Sequence, residues 1–364
     1  MTPPLSTGQA GENRVLVTGG CGFIGCNIAD ALAARGDQVF ILDNLSRRGT
    51  EQNAEWLRNR HGNRIAIEIG DVRDEKIVRR LVKESTAVLH LAAQVAVTTS
   101  LDNPREDFDI NGGGTLGVLE AVRQINSDAP VILASTNKVY GKLLDDWAIK
   151  LCEERYVPTE LRLANGVAEN APLDFYSPYG CSKGTADQYV RDYGRVFGLR
   201  TVVLRMSCIY GPRQFGNEDQ GWIAHFLIQA IQGKPITIYG DGYQVRDALY
   251  VEDAVSAWLG ALDRVDMVKG RIFNLGGGPE NATSLREMMT LIEDLRGQAP
   301  DVRYGAWRPG DQPWYVSNIR AISDALDWRP KTSLRDGVRK LERWLSDRES
   351  ASATPSGQRE EARV

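Results

Sequence analysis

Histidine is scarce, cysteine is scattered, net charge is small and no long hydrophobic run occurs. Only His61, His90 and His225 are present, so a histidine-rich metal cluster is not expected and no metal ligand is assigned. The five cysteines, Cys21, Cys26, Cys152, Cys181 and Cys208, form no C-x-x-C pair. Their odd number and scattered spacing predict free thiols in a reducing compartment, hence a cytoplasmic protein. A formal charge of −4 leaves no basic excess to displace counterions from phosphates, so a nucleic-acid partner is not expected. No run of about eighteen apolar residues exists, and no membrane span is expected. Residues 1–12 lack the apolar core of a signal peptide.

What is present is ordinary for a globular chain: 364 residues, 42% hydrophobic and 25% charged. Short β-branched runs alternate with longer amphipathic stretches. Arg14–Thr18, Gln38–Leu42, Arg64–Glu68, Ala87–Leu91 and Val131–Ala134 read as strands. Phe23–Arg35, Lys76–Lys83 and Asn111–Ile125 read as helices. This alternation predicts the α/β class, with a doubly wound parallel sheet covered on both faces. After Arg205 the pattern becomes irregular and turn-rich. The expected division is a cofactor domain at 13–207, a smaller C-terminal part at 208–345 that is mainly the substrate domain, and a disordered tail at 346–364. The weakly periodic stretch 142–175 is expected to be an insertion, either a lid or a surface excursion.

TGGCGFIG at Thr18–Gly25 follows a predicted strand and opens a predicted helix. Gly19, Gly22 and Gly25 permit a tight turn and close approach of the backbone to a pyrophosphate, with the helix amino end aimed at it. That context predicts a Rossmann-type dinucleotide site. Asp43 ends the next strand about 20 residues on, where a carboxylate meets the adenosine ribose hydroxyls. It favours NAD, although Arg47 and Arg48 follow closely and are suited to hold a 2′-phosphate. Asp71 is placed either to meet the adenine edge or to cap the helix that begins near Asp74.

Tyr179 and Lys183 are four residues apart and share one helix face. Lys183 is expected to lower the Tyr179 pKa through its charge, aided by the nicotinamide cation. Thr136, at the end of a predicted strand, supplies a hydroxyl to bridge a sugar oxygen and the phenol.

These motifs resemble the extended short-chain dehydrogenase/reductases, the nucleotide-sugar epimerases and dehydratases. The resemblance covers about residues 14–345. It includes TGGCGFIG, HLAA at His90–Ala93, Asn111 with Gly114 and Thr115, SPYGCSK, LRMSCIYGP, GDGYQVRD and RPGDQ. It implies an NAD enzyme with Thr136, Tyr179 and Lys183 as catalytic residues. Around the cofactor it implies Gly19, Gly22, Phe23, Ile24 and Gly25, then Asp43, Asn44, Asp71 and Val72. Leu91, Ala92, Ala93, Gln94 and Asn111 complete that set with Tyr179 and Lys183, Asn111 supporting the active-site helix. For a nucleotide-sugar substrate it implies Thr99, Thr136 and Gln220, with Arg246 and Arg308 on the diphosphate. It also implies a homodimer or homotetramer, through helices near Leu101–Arg123 and Pro178–Phe197.

Within the family, dehydratases have Thr-Asp-Glu where this chain has Thr136, Asn137 and Lys138. Lacking those acids, the chain is not expected to eliminate water. STNKVYG, AAQVAVTTSLDNP, LDFYSPYGCSKG and RQFGNEDQGW are similar to the CDP-paratose (CDP-tyvelose) 2-epimerase group. That similarity implies inversion at C2 of a CDP-linked dideoxyhexose. The competing expectations are a UDP- or dTDP-sugar 4-epimerase, a net oxidoreductase and a non-catalytic NAD-binding protein.

Overall fold

The computed structural model describes residues 13–143, 148–308 and 310–353. Residues 1–12 and the end of the expected tail lie outside them. Five strands open the sheet: β1 (Arg14–Thr18), β2 (Gln38–Asp43), β3 (Ile65–Ile69), β4 (Ala87–His90) and β5 (Val131–Thr136). Strands Thr201–Met206 and Arg271–Leu275 complete it. The order is Arg271–Leu275, Thr201–Met206, β5, β4, β1, β2, β3. Every pairing is parallel, for example Val15 opposite Val39 and Ala87.

The strands are apolar on both sides because helices cover both faces. On one face Val17, Ile41, Leu89 and Leu204 pack with helix α1 (Phe23–Ala34) and with Trp258 of the helix Val251–Asp263. On the other, Leu16, Leu42, Val88 and Val203 pack with helices Glu75–Glu84, Gly114–Ile125 and Ser177–Val196. Strand order reverses between β1 and β4, and the crevice beyond their carboxyl ends is the ligand position for such sheets.

The expected division at 207 is not clean. Strand Arg271–Leu275 comes from the later half yet pairs with Thr201–Met206 at the sheet edge, because its apolar residues Phe273 and Leu275 are needed to close the core. The C-terminal half, expected to be the substrate half, is built on strand Val245–Tyr250. It pairs antiparallel with Ala282–Ser284 and parallel with Trp314–Tyr315 and Cys208–Tyr210.

The 142–175 stretch contains a hairpin, Ile149–Cys152 with Arg155–Pro158. It is docked onto the C-terminal half. Tyr156 N donates to Tyr243 O at 2.9 Å, Arg155 pairs with Glu287 at 2.6 Å, and Val167 N donates to Val316 O at 2.7 Å. The last helix runs Leu334–Ala353, so residues 346–353 are helical where a disordered tail was expected. Leu341 and Leu345 bury that helix against the C-terminal half, and its last turns continue from this anchored segment.

Candidate active site

The glycine loop is shaped by contact with its own protein. Gly19 has φ +69°, and a Cβ there would lie 2.7 Å from Ala92 N. A Cβ at Gly25 would sit 2.3 Å from Gly19 O, so the helix can approach the loop only without a side chain. Gly22 differs, since a Cβ there would meet only Gly19 O, at 3.2 Å. Room at 22 is tight but less closed than at 19 and 25, and a pyrophosphate lying against the loop would take up what is left. Gly22 also caps α1 without a side-chain hydrogen bond, leaving the first-turn amides of Phe23 and Ile24 without intrahelical acceptors. This cradle fits a dinucleotide.

Asp43 closes the crevice at the end of β2. Its carboxylate accepts from Cys21 N and Leu45 N, each at 2.9 Å. Burial raises its pKa against these backbone hydrogen bonds. Asn44 donates to Asp71 at 3.4 Å. Asp71 does not cap the following helix; Asp74 does, accepting from Lys76 N and Ile77 N. Asp71 is instead clasped by Arg73, which holds its carboxyl down to about 2. Val72 is buried beside Gly114. Arg47 donates to Gln220 Oε1.

A buried hydrogen-bond chain links β1 to the Tyr179 helix. Thr18 Oγ1 lies 2.7 Å from His90 Nδ1, and His90 Nε2 lies 3.0 Å from Thr115 Oγ1. Thr18 Oγ1 also accepts from Ala92 N, and Thr115 Oγ1 donates to Asn111 O at 2.6 Å. The hydroxyls therefore assign the proton to Nε2. Burial, then the Lys183 charge, lowers the His90 pKa to about 3. Asn111 Oδ1 accepts from Gln94 N, and its Nδ2 donates to Ser182 Oγ at 2.9 Å. It thus ties the loop after β4, with Leu91 and Ala93, to the helix turn between Tyr179 and Lys183.

Helix Ser177–Val196 has Pro178 in its first turn. Tyr179 N donates to Ser100 Oγ at 3.1 Å, a contact that sequence reasoning missed. The neighbouring Thr99 is exposed. Thr136 Oγ1 accepts from Lys138 N at 3.2 Å, and its hydroxyl stands by the Tyr179 phenol and lowers the phenol's pKa. Lys183 Nζ donates to Ala134 O at 2.6 Å, so Thr136, Tyr179 and Lys183 gather at the end of β5.

The electrostatics differ from expectation. Burial pushes the Tyr179 phenol up to about 12, and it outweighs the Thr136 hydroxyl and the Arg47 charge. Lys183 is committed to a backbone carbonyl, and burial lowers it to about 8. The chain's own groups therefore keep the phenol protonated.

On the expected substrate side, Asn137 Nδ2 donates to Gln312 Oε1 at 3.1 Å, and Lys138 Nζ donates to Gly310 O at 3.2 Å. Arg246 is buried and pairs with Asp311 at 2.5 Å. Arg308 lies 3.8 Å over the Tyr239 ring, with Glu218 at 3.5 Å and Asp219 at 3.6 Å. Both arginines, expected on a diphosphate, thus hold acidic partners within the chain.

A further network went unread in the sequence. Arg205 and Asp187 form a two-pronged pair at 2.8 and 2.9 Å, with their side chains 2% and 0% exposed. Asp187 also accepts from Ser135 Oγ at 2.7 Å, and Arg205 donates to Tyr140 OH at 3.0 Å. Breaking such a pair on one side costs about 3–5 kcal/mol. It fixes the strand end that carries Thr136 against the helix that carries Tyr179 and Lys183.

Residues 15–276 match the NAD dependent epimerase/dehydratase family. The chain belongs to that family. It is an enzyme, and its cofactor is NAD. It is similar to the CDP-paratose 2-epimerase of Salmonella typhi, with 46% identity over 342 residues, 92% of this chain and 99% of that enzyme. The UDP-glucose 4-epimerase of Thermus thermophilus in complex with NAD superposes with TM-score 0.75 at 33% identity, over 91% of this chain and 98% of that one. The dTDP-glucose 4,6-dehydratase DesIV of Streptomyces venezuelae, with NAD bound, gives TM-score 0.80 at 28% identity, over 93% and 98%. This fold of the epimerase/dehydratase family thus carries both epimerases and dehydratases, and the side chains beyond β5 must separate them.

Proposed function

We propose that the chain is a nucleotide-sugar epimerase that inverts C2 of a CDP-linked 3,6-dideoxyhexose by transient oxidation. The observation that carries this reading is the pair after Thr136. Asn137 is an amide bound to Gln312, and Lys138 is an ammonium bound to Gly310. Neither supplies the acid and base that elimination of water needs. The 46% identity to a CDP-paratose 2-epimerase supports C2 and the cytidine nucleotide.

The glycine loop, the α1 amides, Asp43 and the Asn111-bound loop would hold NAD, which when bound accepts a hydride and returns it, leaving no net redox change. Tyr179 takes the proton of the reacting hydroxyl, and Thr136 orients that hydroxyl toward the phenol. Lys183, lying on the same helix face, favours the tyrosinate once cofactor charge joins it. Arg246 and Arg308 grip the diphosphate, with Gln220 and Thr99 at the edge of the cleft. With the diphosphate held by these arginines, the sugar would be free to turn about its link to phosphate, so that either face of C2 could be presented to the site.

We propose a homodimer or homotetramer through helices that leave Leu101, Phe108, Val196 and Phe197 exposed; sedimentation equilibrium measures it. The functional test is incubation with CDP-, UDP- and dTDP-sugars followed by NMR of the products. CDP-paratose converted to its C2 epimer supports the reading. Inversion at C4 of a UDP- or dTDP-sugar replaces it with the 4-epimerase reading.

A further inference from the structure

Among the described residues, one carboxylate, Asp311, lies between two cations, Lys138 and Arg246. Asp311 Oδ1 accepts from Arg246 Nη2 at 2.5 Å and lies 3.9 Å from Lys138 Nζ. The same oxygen accepts from Gln312 N at 3.0 Å. Lys138 makes its own hydrogen bond only to a neutral carbonyl, Gly310 O. Its other charged or titratable neighbours are Arg246 and Cys208. Asp247, next to Arg246 in sequence, does not balance the charge, because it faces Ser207 Oγ and Gly278 N. The cluster therefore has an uncompensated positive charge in a largely buried place, an arrangement that is costly unless an anion completes it.

Its position relative to the reacting groups matters. Lys138 N donates to Thr136 Oγ1 at 3.2 Å, and the Thr136 hydroxyl is close enough to the Tyr179 phenol to lower its pKa. The ammonium belongs to the same short turn, Asn137–Tyr140, that begins at the catalytic hydroxyl. Lys138 is thus two residues along the chain from Thr136, and an anion held by it would be anchored from the same turn. In a nucleotide sugar the sugar-linked phosphate is attached to C1, which is bonded to C2, while C4 lies across the ring.

We propose that Lys138 is a specificity-determining residue that binds the sugar-linked phosphate, completing the Arg246–Asp311 cluster and presenting C2 to Tyr179. This rests on the nucleotide-sugar reading above. Burial, and then the Arg246 charge, lowers the Lys138 pKa to about 8 against the pull of Asp311. Its grip on phosphate therefore weakens as pH rises through that value, while an arginine there stays charged.

The test is calorimetric titration of the NAD-loaded enzyme with CDP and with CMP, which lacks the outer phosphate. Lys138→Met is expected to weaken CDP about tenfold or more, the size of one charge-assisted hydrogen bond, and to leave CMP within about twofold. Lys138→Arg is expected to retain CDP affinity within about threefold and, unlike wild type, to hold it from pH 7 to pH 9. Unchanged CDP affinity in Lys138→Met overturns the proposal. Equal loss of CDP and CMP also overturns it, since that marks a collapsed pocket rather than a lost phosphate contact. Should wild type prefer UDP or dTDP over CDP, the cytidine reading fails, and the same comparison made with the preferred diphosphate still decides the role of Lys138.

Discussion

The two walls of the cleft are built by different physics. The cofactor wall is backbone: glycines without room for a Cβ, helix amides, and one carboxylate held by two N–H groups. The proposed substrate wall is charged side chains brought from the turn after β5, from strand Val245–Tyr250 and from the segment of Arg308 and Asp311. Shape governs the first and charge the second. Changes of size should therefore injure NAD binding, and changes of charge should injure substrate binding.

Tyr179 stands where the walls meet and gives the largest expected effect. Tyr179→Phe should lose about 10²–10⁴-fold in kcat, the usual worth of a positioned acid–base group, with bound NAD retained when the denatured protein is assayed for it. Near-normal turnover would remove the phenol from the mechanism.

On the cofactor wall, Gly25→Ala places a methyl group 2.3 Å from Gly19 O. It should purify without NAD and melt at a lower temperature. Gly22→Ala, with its nearest protein atom at 3.2 Å, should fold normally and bind NAD more weakly. If the two variants behave alike, the loop is not shaped around a ligand.

Across the cleft, Arg246→Ala should raise KM about tenfold or more with a smaller change in kcat, if, as proposed, it grips a part of the substrate that does not react. NAD content should not change. A loss confined to kcat would place Arg246 beside the reacting carbon instead.

The smallest effect concerns the buried chain between the walls. His90 is held neutral down to about 3 in the fold, against 6.5 for an ordinary histidine. Below about 6.5 the unfolded chain takes up a proton that the folded chain does not. Stability should therefore fall as pH drops from 6.5 toward 3, and His90→Gln should flatten that part of a melting-temperature profile.

The same contrast explains what was legible in the sequence. The glycine loop, β1 to β5, Asp43 and the Tyr179–Lys183 spacing are local patterns of strand, turn and helix. Each was readable with errors of a residue or two at the ends. Asn111 was readable only through family resemblance, since its partner Ser182 is 71 residues away. Lys138, Asp311, Ser100 and the Asp187–Arg205 pair carry no local signature, because their meaning lies in partners from other elements. The Asp71 alternative failed for a local reason, because Asp74 is one residue before the helix and Asp71 is not. The hairpin within 142–175 was missed because its strands are only four residues each and mostly half-exposed, which erases alternation. The Tyr179 expectation relied on the charge of Lys183, which is turned to Ala134 O, and omitted burial, which is the largest influence on the phenol.

The most direct measurement follows a deuterium label at C2 of CDP-paratose through the reaction. Hydride transfer at C2 predicts that the inverted product keeps deuterium at C2, with no hydrogen incorporated from solvent water. Label lost to solvent, or inversion found at C4, would contradict the proposed chemistry.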